Sequence, residues 1–304
     1  MKKVTITALL LAIALTAAGC GNQTTVGVCL RHGETGAAPQ LERSLREDLE
    51  SSGYRVRVQD AVGDQSRQNQ QITQLLEDCD LLMVEPVMTV AADTILEQAQ
   101  KANVPVIFLN HAPEAAVLAR WESAYYIGSD LTQPGRLQSL LVRQLPDGGD
   151  RNGDGKVAYT VIAGPEDHMD ALRWTQDCGS DPAGERLRAD HGDWSRDSGR
   201  KLCRRQLADF GEDIEVIFCN SDSLALGALE ALQNEEGNIY LVGIGGIAEA
   251  LERIRAGDMA GTVCEDIPAL SRSITETAMA ILRGETPQKS QLLDFTLVTT
   301  EDLQ

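Results

Sequence analysis

The sequence predicts an α/β protein made of two doubly wound lobes, and two observations carry that prediction. Short apolar runs rich in Val, Ile and Leu recur along the chain, each followed by a longer stretch with apolar residues three or four apart. The alternation pauses near Asp130 and then starts again, with no low-complexity linker at the break, so more than one crossing ties the lobes together. A chain of 304 residues has room for two such lobes.

Before the first lobe, MKK is followed by VTITALLLAIALTAAGC, which has the charged start, apolar middle and small residues of an export signal ending at Cys20. The run is short for a membrane span. Residues 1–20 are therefore expected to be a lipoprotein signal peptide and Cys20 the lipidated residue, although Ala17 stands where such signals usually carry Leu.

In the first lobe TTVGVCL reads as a buried strand, and Leu41, Leu45 and Leu49 mark one face of the helix after it. Then come YRVRVQDA as strand, a helix over 65–79, LLMVEP as strand, a helix over 90–102, VPVIFLN as strand and AYYIGSD as the last strand of the series. The second lobe opens with a helix carrying Leu137, Leu140, Leu141 and Leu145, followed by the strand VAYTVIAG. EVIFCNSD is a strand leading to a helix over 223–234, IYLVGIGG is another, and Ile247, Leu251 and Ile254 line a helix that Gly257 stops. AGTVCED, a helix over 268–284 and the strand LLDFTLV complete the chain.

Composition narrows the function. There are 27 Lys and Arg against 46 Asp and Glu, a net charge of −19, which repels nucleic acid. The short basic cluster of Arg200, Arg204 and Arg205 reads as a solvated helix face. Beyond Cys20 the cysteines are Cys29, Cys79, Cys178, Cys203, Cys219 and Cys264, with no C-x-x-C pair, so neither a zinc nor a redox motif is present. Cys29, Cys219 and Cys264 fall in apolar strands as small core residues. Export permits disulfides, and a Cys178 to Cys203 bridge stays open.

The stretch from Asp150 to Trp174 concentrates the chemistry. Asp150, Asn152, Asp154, Gly155 and Lys156 have the oxygen spacing of a calcium loop: side chains at positions one, three and five, a glycine, then a backbone carbonyl. Position twelve, where a closing Glu would stand, is Val161 in a strand, so the last carboxylate must come from elsewhere; the bland alternative is an acidic surface turn. After Gly164 and Pro165, His168, Asp170 and Arg173 fall on the first turns of a helix at a strand's carboxyl end, where open α/β sheets bind ligands. No G-x-S-x-G, P-loop or zinc motif accompanies them, and without a nucleophile an enzyme is not expected.

Several stretches together resemble the type I periplasmic binding proteins, and among them the glucose/galactose binders: DQSRQNQQITQLL at 64–76, VPVIFLNHAP at 104–113, AYYIGSD at 124–130, the segment 150–170, IEVIFCNSDSLALGALEAL at 214–232 and AGTVCED at 260–266. The resemblance implies two Rossmann-like lobes closing over a solute about a three-segment hinge, with residues 24–128 plus 267–294 in the first lobe and 130–264 plus 296–304 in the second. It implies a monomeric solute-binding lipoprotein, held at the outer face of the cytoplasmic membrane or in the periplasm and touching membrane only through its lipid. Its partners would be a sugar or sugar-like solute and an ABC permease or chemosensory receptor. It also supplies Glu215 as the distant carboxylate of a structural calcium site with Asp150, Asn152, Asp154 and the Lys156 carbonyl, while Ala158 replaces a family ligand.

For the sugar site, Asn110, His168, Asp170 and Trp194 match family positions. The rest depart: Thr35 and Ala37 replace an acid and an aromatic, Ser221, Gly245 and Glu265 replace amides and an acid, and Trp174 stands at an arginine position with Arg173 one residue early. On a helix, residues three and four beyond Asp170 share its face, so Arg173 is expected to reach the cleft. Lost hydroxyl partners change selectivity by orders of magnitude, so the fold carries over and the glucose specificity does not. Glu265 in the cleft points to a ligand with an amine or additional hydroxyls. The altered first loop also admits a sensor or interaction protein with a decayed cleft; the same lobes in a transcription regulator are excluded by the export signal and the charge.

Overall fold

The computed structural model describes residues 23–31, 38–180, 183–232 and 239–304. Cys20, Thr35 and Ala37 lie outside the described residues.

In chain order the first series is β1 (Thr25–Leu30), α1 (Ala38–Ser51), β2 (Arg55–Asp60), α2 (Gln65–Leu75), β3 (Leu81–Val84), α3 (Ala92–Ala102), β4 (Val106–Leu109), α4 (Ala115–Leu118) and β5 (Ala124–Ser129). The second is α5 (Pro134–Arg143), β6 (Val157–Ala163), α6 (Met169–Asp177), β7 (Gly184–His191), α7 (Arg196–Phe210), β8 (Val216–Cys219), α8 (Asp222–Leu232), β9 (Tyr240–Ile244), α9 (Ala248–Ala256) and β10 (Gly261–Glu265). The chain ends with α10 (Ile267–Leu282), β11 (Ser290–Leu293) and β12 (Phe295–Val298).

These strands form two six-stranded sheets, ordered β11-β5-β4-β3-β1-β2 and β12-β10-β9-β8-β6-β7. Every pairing is parallel except that of β10 with β12. Parallel strands covered by helices on both faces must be apolar throughout, and β1, β3, β4 and β5 are fully buried along their lengths. Leu41, Leu45 and Leu49 of α1 and Ile267, Leu270 and Ile274 of α10 cover one face of the first sheet, while Ile72, Leu75, Ile95 and Leu96 of α2 and α3 cover the other. Each such side chain contributes about 1.5–3 kcal/mol by leaving water.

The run read as one last strand, LLDFTLV, is two. Asp294 separates β11, which joins the first sheet, from β12, which joins the second. The chain also passes between sheets after β5 and after β10. Gln133 ties the first and third passages: its Nε2 donates to Asp294 Oδ1 at 2.6 Å and Asp130 Oδ2 at 3.2 Å, and its Oε1 accepts from Phe295 N at 3.0 Å.

Helix bounds follow local chemistry. Asp64 caps α2 by accepting from Arg67 N, and Asn103 ends α3 in the left-handed conformation with φ 55°. Residues 89–91 form a 3-10 turn ahead of α3, so that helix starts later than the apolar spacing implies. β7 has no counterpart in the sequence reading, because GERLRADH is charged and only half-buried at a sheet edge. Cys178 and Cys203 form no disulfide; the Cys178 thiol donates to Thr175 O at 3.4 Å. Among the described residues no helix is long and apolar enough to cross a membrane.

Candidate functional site

Parallel strands in one sheet end on one side, and here the carboxyl ends of both sheets face the same space. A cavity of about 360 Å³ lies between the lobes, lined by residues that directly follow strands: Glu85 after β3, Asn110 and His111 after β4, Asn220 and Ser221 after β8, Gly245 after β9 and Glu265 at the end of β10. His168, Asp170 and Trp174 from α6 and its approach, with Trp194 beyond β7, complete the second-lobe side. Of the residues expected to bind ligand, Asn110, His168, Asp170, Trp194, Ser221 and Glu265 line this cavity.

Arg173 is the exception. It is absent from the lining; its side chain is 44% exposed and stands 4.0 Å from Asp170 Oδ1, an ion pair along the helix surface. Trp174 takes the inward position instead, with its indole Nε1 donating to Leu131 O at 2.9 Å and its ring packed beside Phe295 and Ile244. A shift of one residue is 100° of helix, enough to exchange the guanidinium for an aromatic face.

On the second lobe, backbone and ring geometry position the polar groups. His168 caps α6, its Nδ1 accepting from Ala171 N at 3.5 Å, which leaves Nε2 on the far edge of the ring. Its ring meets Trp194 edge to face, centroids 5.1 Å apart. Trp194 in turn lies flush on Gly164, where any Cβ would enter the indole. Asn220 is 1% exposed; its Oδ1 accepts from Gly164 N at 3.2 Å and Thr175 Oγ1 at 3.0 Å, while its Nδ2 has no partner among the described residues. Ser221 uses its hydroxyl to accept from Leu224 N at 3.2 Å at the start of α8.

On the first lobe, Asn110 turns out of β4 with φ 55°, a conformation that asparagine tolerates, and Tyr126 Oη donates to its carbonyl at 2.9 Å. Asn110 Nδ2 donates to Glu85 Oε1 at 3.3 Å, and its Oδ1 is buried without a partner among the described residues. Three residues that the sequence reading missed, Arg31, Glu85 and His111, join it. Arg31 Nη1 donates to His111 Nε2 at 2.9 Å, so that nitrogen accepts and Nδ1 carries the proton, 3.6 Å from Glu85 Oε1. Burial raises the pKa of Glu85, but the His111 and Asn110 side chains and the Arg31 amide outweigh it and hold the carboxyl below its ordinary range. Glu265 goes the other way: desolvation first, then the charge of Glu85, raise its pKa against a hydrogen bond from Ser129.

Asp222, also unread in the sequence, is a buried carboxylate behind the cavity. It accepts from Thr262 Oγ1 at 2.7 Å and Ile247 N at 3.0 Å, bracing the turn after β9, and burial still raises its pKa.

The loop between α5 and β6 is separate from this cavity. The fold brings Glu215, only 3% exposed, to residues 63 and 64 positions earlier: Oε1 accepts from Arg151 N at 2.7 Å and Asn152 N at 3.0 Å, and Oε2 from Ala158 N at 2.8 Å. Asp150 accepts from Gly153, Asp154 and Gly155 amides, Asn152 Oδ1 from Asp154 N, and Asp154 Oδ1 from Lys156 N, while Lys156 Nζ reaches Glu185 and leaves its carbonyl to the loop. The donors are hard oxygens, as calcium requires. As they stand they are turned to the loop's own amides, and among the described residues no three His, Cys, Asp or Glu side chains converge as a metal site.

Comparison with known proteins places this geometry. Residues 26–286 match the model of the periplasmic binding protein domain. The chain is 30% identical over 243 residues to the D-galactose/methyl-galactoside binding periplasmic protein of Haemophilus influenzae, covering 77% of this chain and 73% of that protein. Among solved structures it is similar to an ABC transporter solute-binding protein from Bacillus halodurans with bound myo-inositol, at a TM-score of 0.76 and 22% identity over 94% of this chain and 97% of that one. A second is a periplasmic solute-binding protein from Actinobacillus succinogenes with bound D-allose, at a TM-score of 0.78 and 17% identity over 92% and 99%. These relatives are solute-binding proteins and not enzymes, and the chain belongs to the periplasmic binding protein domain family.

Proposed function

We propose that this protein is the extracytoplasmic solute-binding lipoprotein of an ABC importer, that Cys20 anchors it, and that it captures a monosaccharide or a closely related polyol between its lobes. The observation that carries the reading is the set of unpaired polar atoms in the interlobe cavity. Among the described residues, Asn110 Oδ1 on one lobe and Asn220 Nδ2 on the other are buried without partners, on residues that line the cavity with two indole rings. A buried unpaired polar atom costs about 1–3 kcal/mol, a cost that ligand hydroxyls relieve, while Trp174 and Trp194 offer apolar faces to sugar C–H groups. A ring with hydroxyls around its rim answers both at once.

The loop at 150–156 is read as a calcium site distant from the cleft, with Asp150, Asn152, Asp154, the Lys156 carbonyl and Glu215 as ligands; calcium there would tie the β6 and β8 edges together. Thermal unfolding against a panel of hexoses, pentoses and inositols tests the central reading. A ligand at a hundred times its dissociation constant adds about 2.7 kcal/mol of stability, and the panel is expected to raise the midpoint selectively for one or a few members.

A further inference from the structure

The cavity collects acid from both lobes, and the three carboxylates are not equally provided for. Asp170 has Arg173 at 4.0 Å. Glu85 accepts from Asn110 Nδ2 and Arg31 N and faces His111, whose other nitrogen holds the Arg31 guanidinium. Glu265 receives a hydrogen bond from Ser129 and the weaker influence of His111, but no Lys or Arg pairs with it among the described residues. Burial first, and after it the charges of Glu265 and Asp130, push the Tyr126 hydroxyl up to about 12. The chain therefore keeps a carboxylate at the inner wall of a binding cavity with another carboxylate near enough to oppose its ionisation.

Independently of the acids, Asn220 Nδ2 has no partner among the described residues, on a side chain that is 1% exposed in the wall of the same cavity. Together with the free Asn110 Oδ1 it marks the space as built for a polar guest. What the acids add is the sign of that guest. A neutral hydroxyl gives a carboxylate one donor and leaves its charge, and the repulsion between Glu85 and Glu265, in place. An ammonium gives three donors and a compensating charge.

We propose that the cleft selects a polyol carrying a basic nitrogen, whose ammonium group is received by Glu265 with Glu85 as its neighbour across the cavity. The proposal rests on the polyol-binding reading above.

The test is calorimetric titration of the purified protein, at a pH where the amines are protonated, with D-glucosamine and D-galactosamine against D-glucose and D-galactose, and with the N-acetylated forms as uncharged controls. At least one amino sugar should bind tenfold or more tighter than its neutral parent, acetylation should abolish that preference, and Glu265→Gln should bring the ratio below threefold. The acetylated arm keeps the test open should Glu265→Gln fail to fold. Equal binding of amine and parent, tighter binding of the parent, or an unchanged ratio in Glu265→Gln overturns the proposal and leaves the polyol reading standing. No binding by any of these sugars overturns the proposal, and the polyol reading falls with it only if the panel of hexoses, pentoses and inositols also leaves the melting midpoint unchanged.

Discussion

A Cβ on Gly245 would stand 3.2 Å from Asp222 Oδ2, and Gly245 has φ 141°, a conformation that side-chain-bearing residues rarely adopt. At the position where the family resemblance places an acid, a side chain is therefore strained here, because it would press on the neighbouring Asp222. Gly245→Asp is expected to destabilise the protein by about 1–3 kcal/mol through backbone strain alone, with like-charge repulsion adding to it. Urea unfolding at neutral pH measures this, and unchanged stability would show that the turn rearranges.

Glu265 makes stability depend on pH in a defined direction. Its carboxyl is raised from the ordinary 4.5 in the folded protein by desolvation, opposed by the Ser129 bond and the nearby His111 and reinforced by Glu85. A raised folded value means that its contribution to stability is fully present below 4.5 and is lost as pH rises through the folded value. Glu265→Gln should therefore raise the melting midpoint of the ligand-free protein at neutral pH, with the gap closing below 4.5. A gap that stays constant with pH would mean that the carboxylate is solvated.

The loop at 150–156 is tested by removing metal. Chelation should lower the midpoint of calcium-loaded protein, and Glu215→Gln should remove most of that response. Loss of two or three amide bonds to a charged group is worth about 1.5–3 kcal/mol each, so Glu215→Gln should also destabilise the metal-free protein. If chelator changes nothing while the variant is still destabilised, Glu215 acts only as a buried anion stapling the amides of Arg151, Asn152 and Ala158.

Much of this was legible in the sequence, and the gaps have physical causes. Buried parallel strands such as β4 and β8 announce themselves by apolar runs, whereas β7 carries Glu185, Arg186, Arg188 and Asp190 at a sheet edge and resembles a loop. Asn110, His168, Asp170 and Trp194 reach the cavity because they follow strands, which spacing shows. Glu85 and His111 follow strands as well, but their importance lies in facing one another across 26 residues of chain, and no local pattern records that. The exchange of Arg173 for Trp174 turned on one residue of helix phase, finer than a pattern resolves when the helix starts after a Pro-containing turn.

Whether one solute is held by both lobes is tested most directly by calorimetric titration of a single-residue variant on each lobe. Asn110→Gly keeps the left-handed backbone while removing the first-lobe amide, and Asp170→Ala removes the second-lobe carboxylate. With the tightest-binding sugar of the panel, each variant should lose at least about tenfold in affinity, the ~1.4 kcal/mol expected for one good polar contact, while its ligand-free melting midpoint stays close to that of the wild type. Full affinity retained in either variant would contradict a solute shared between the lobes.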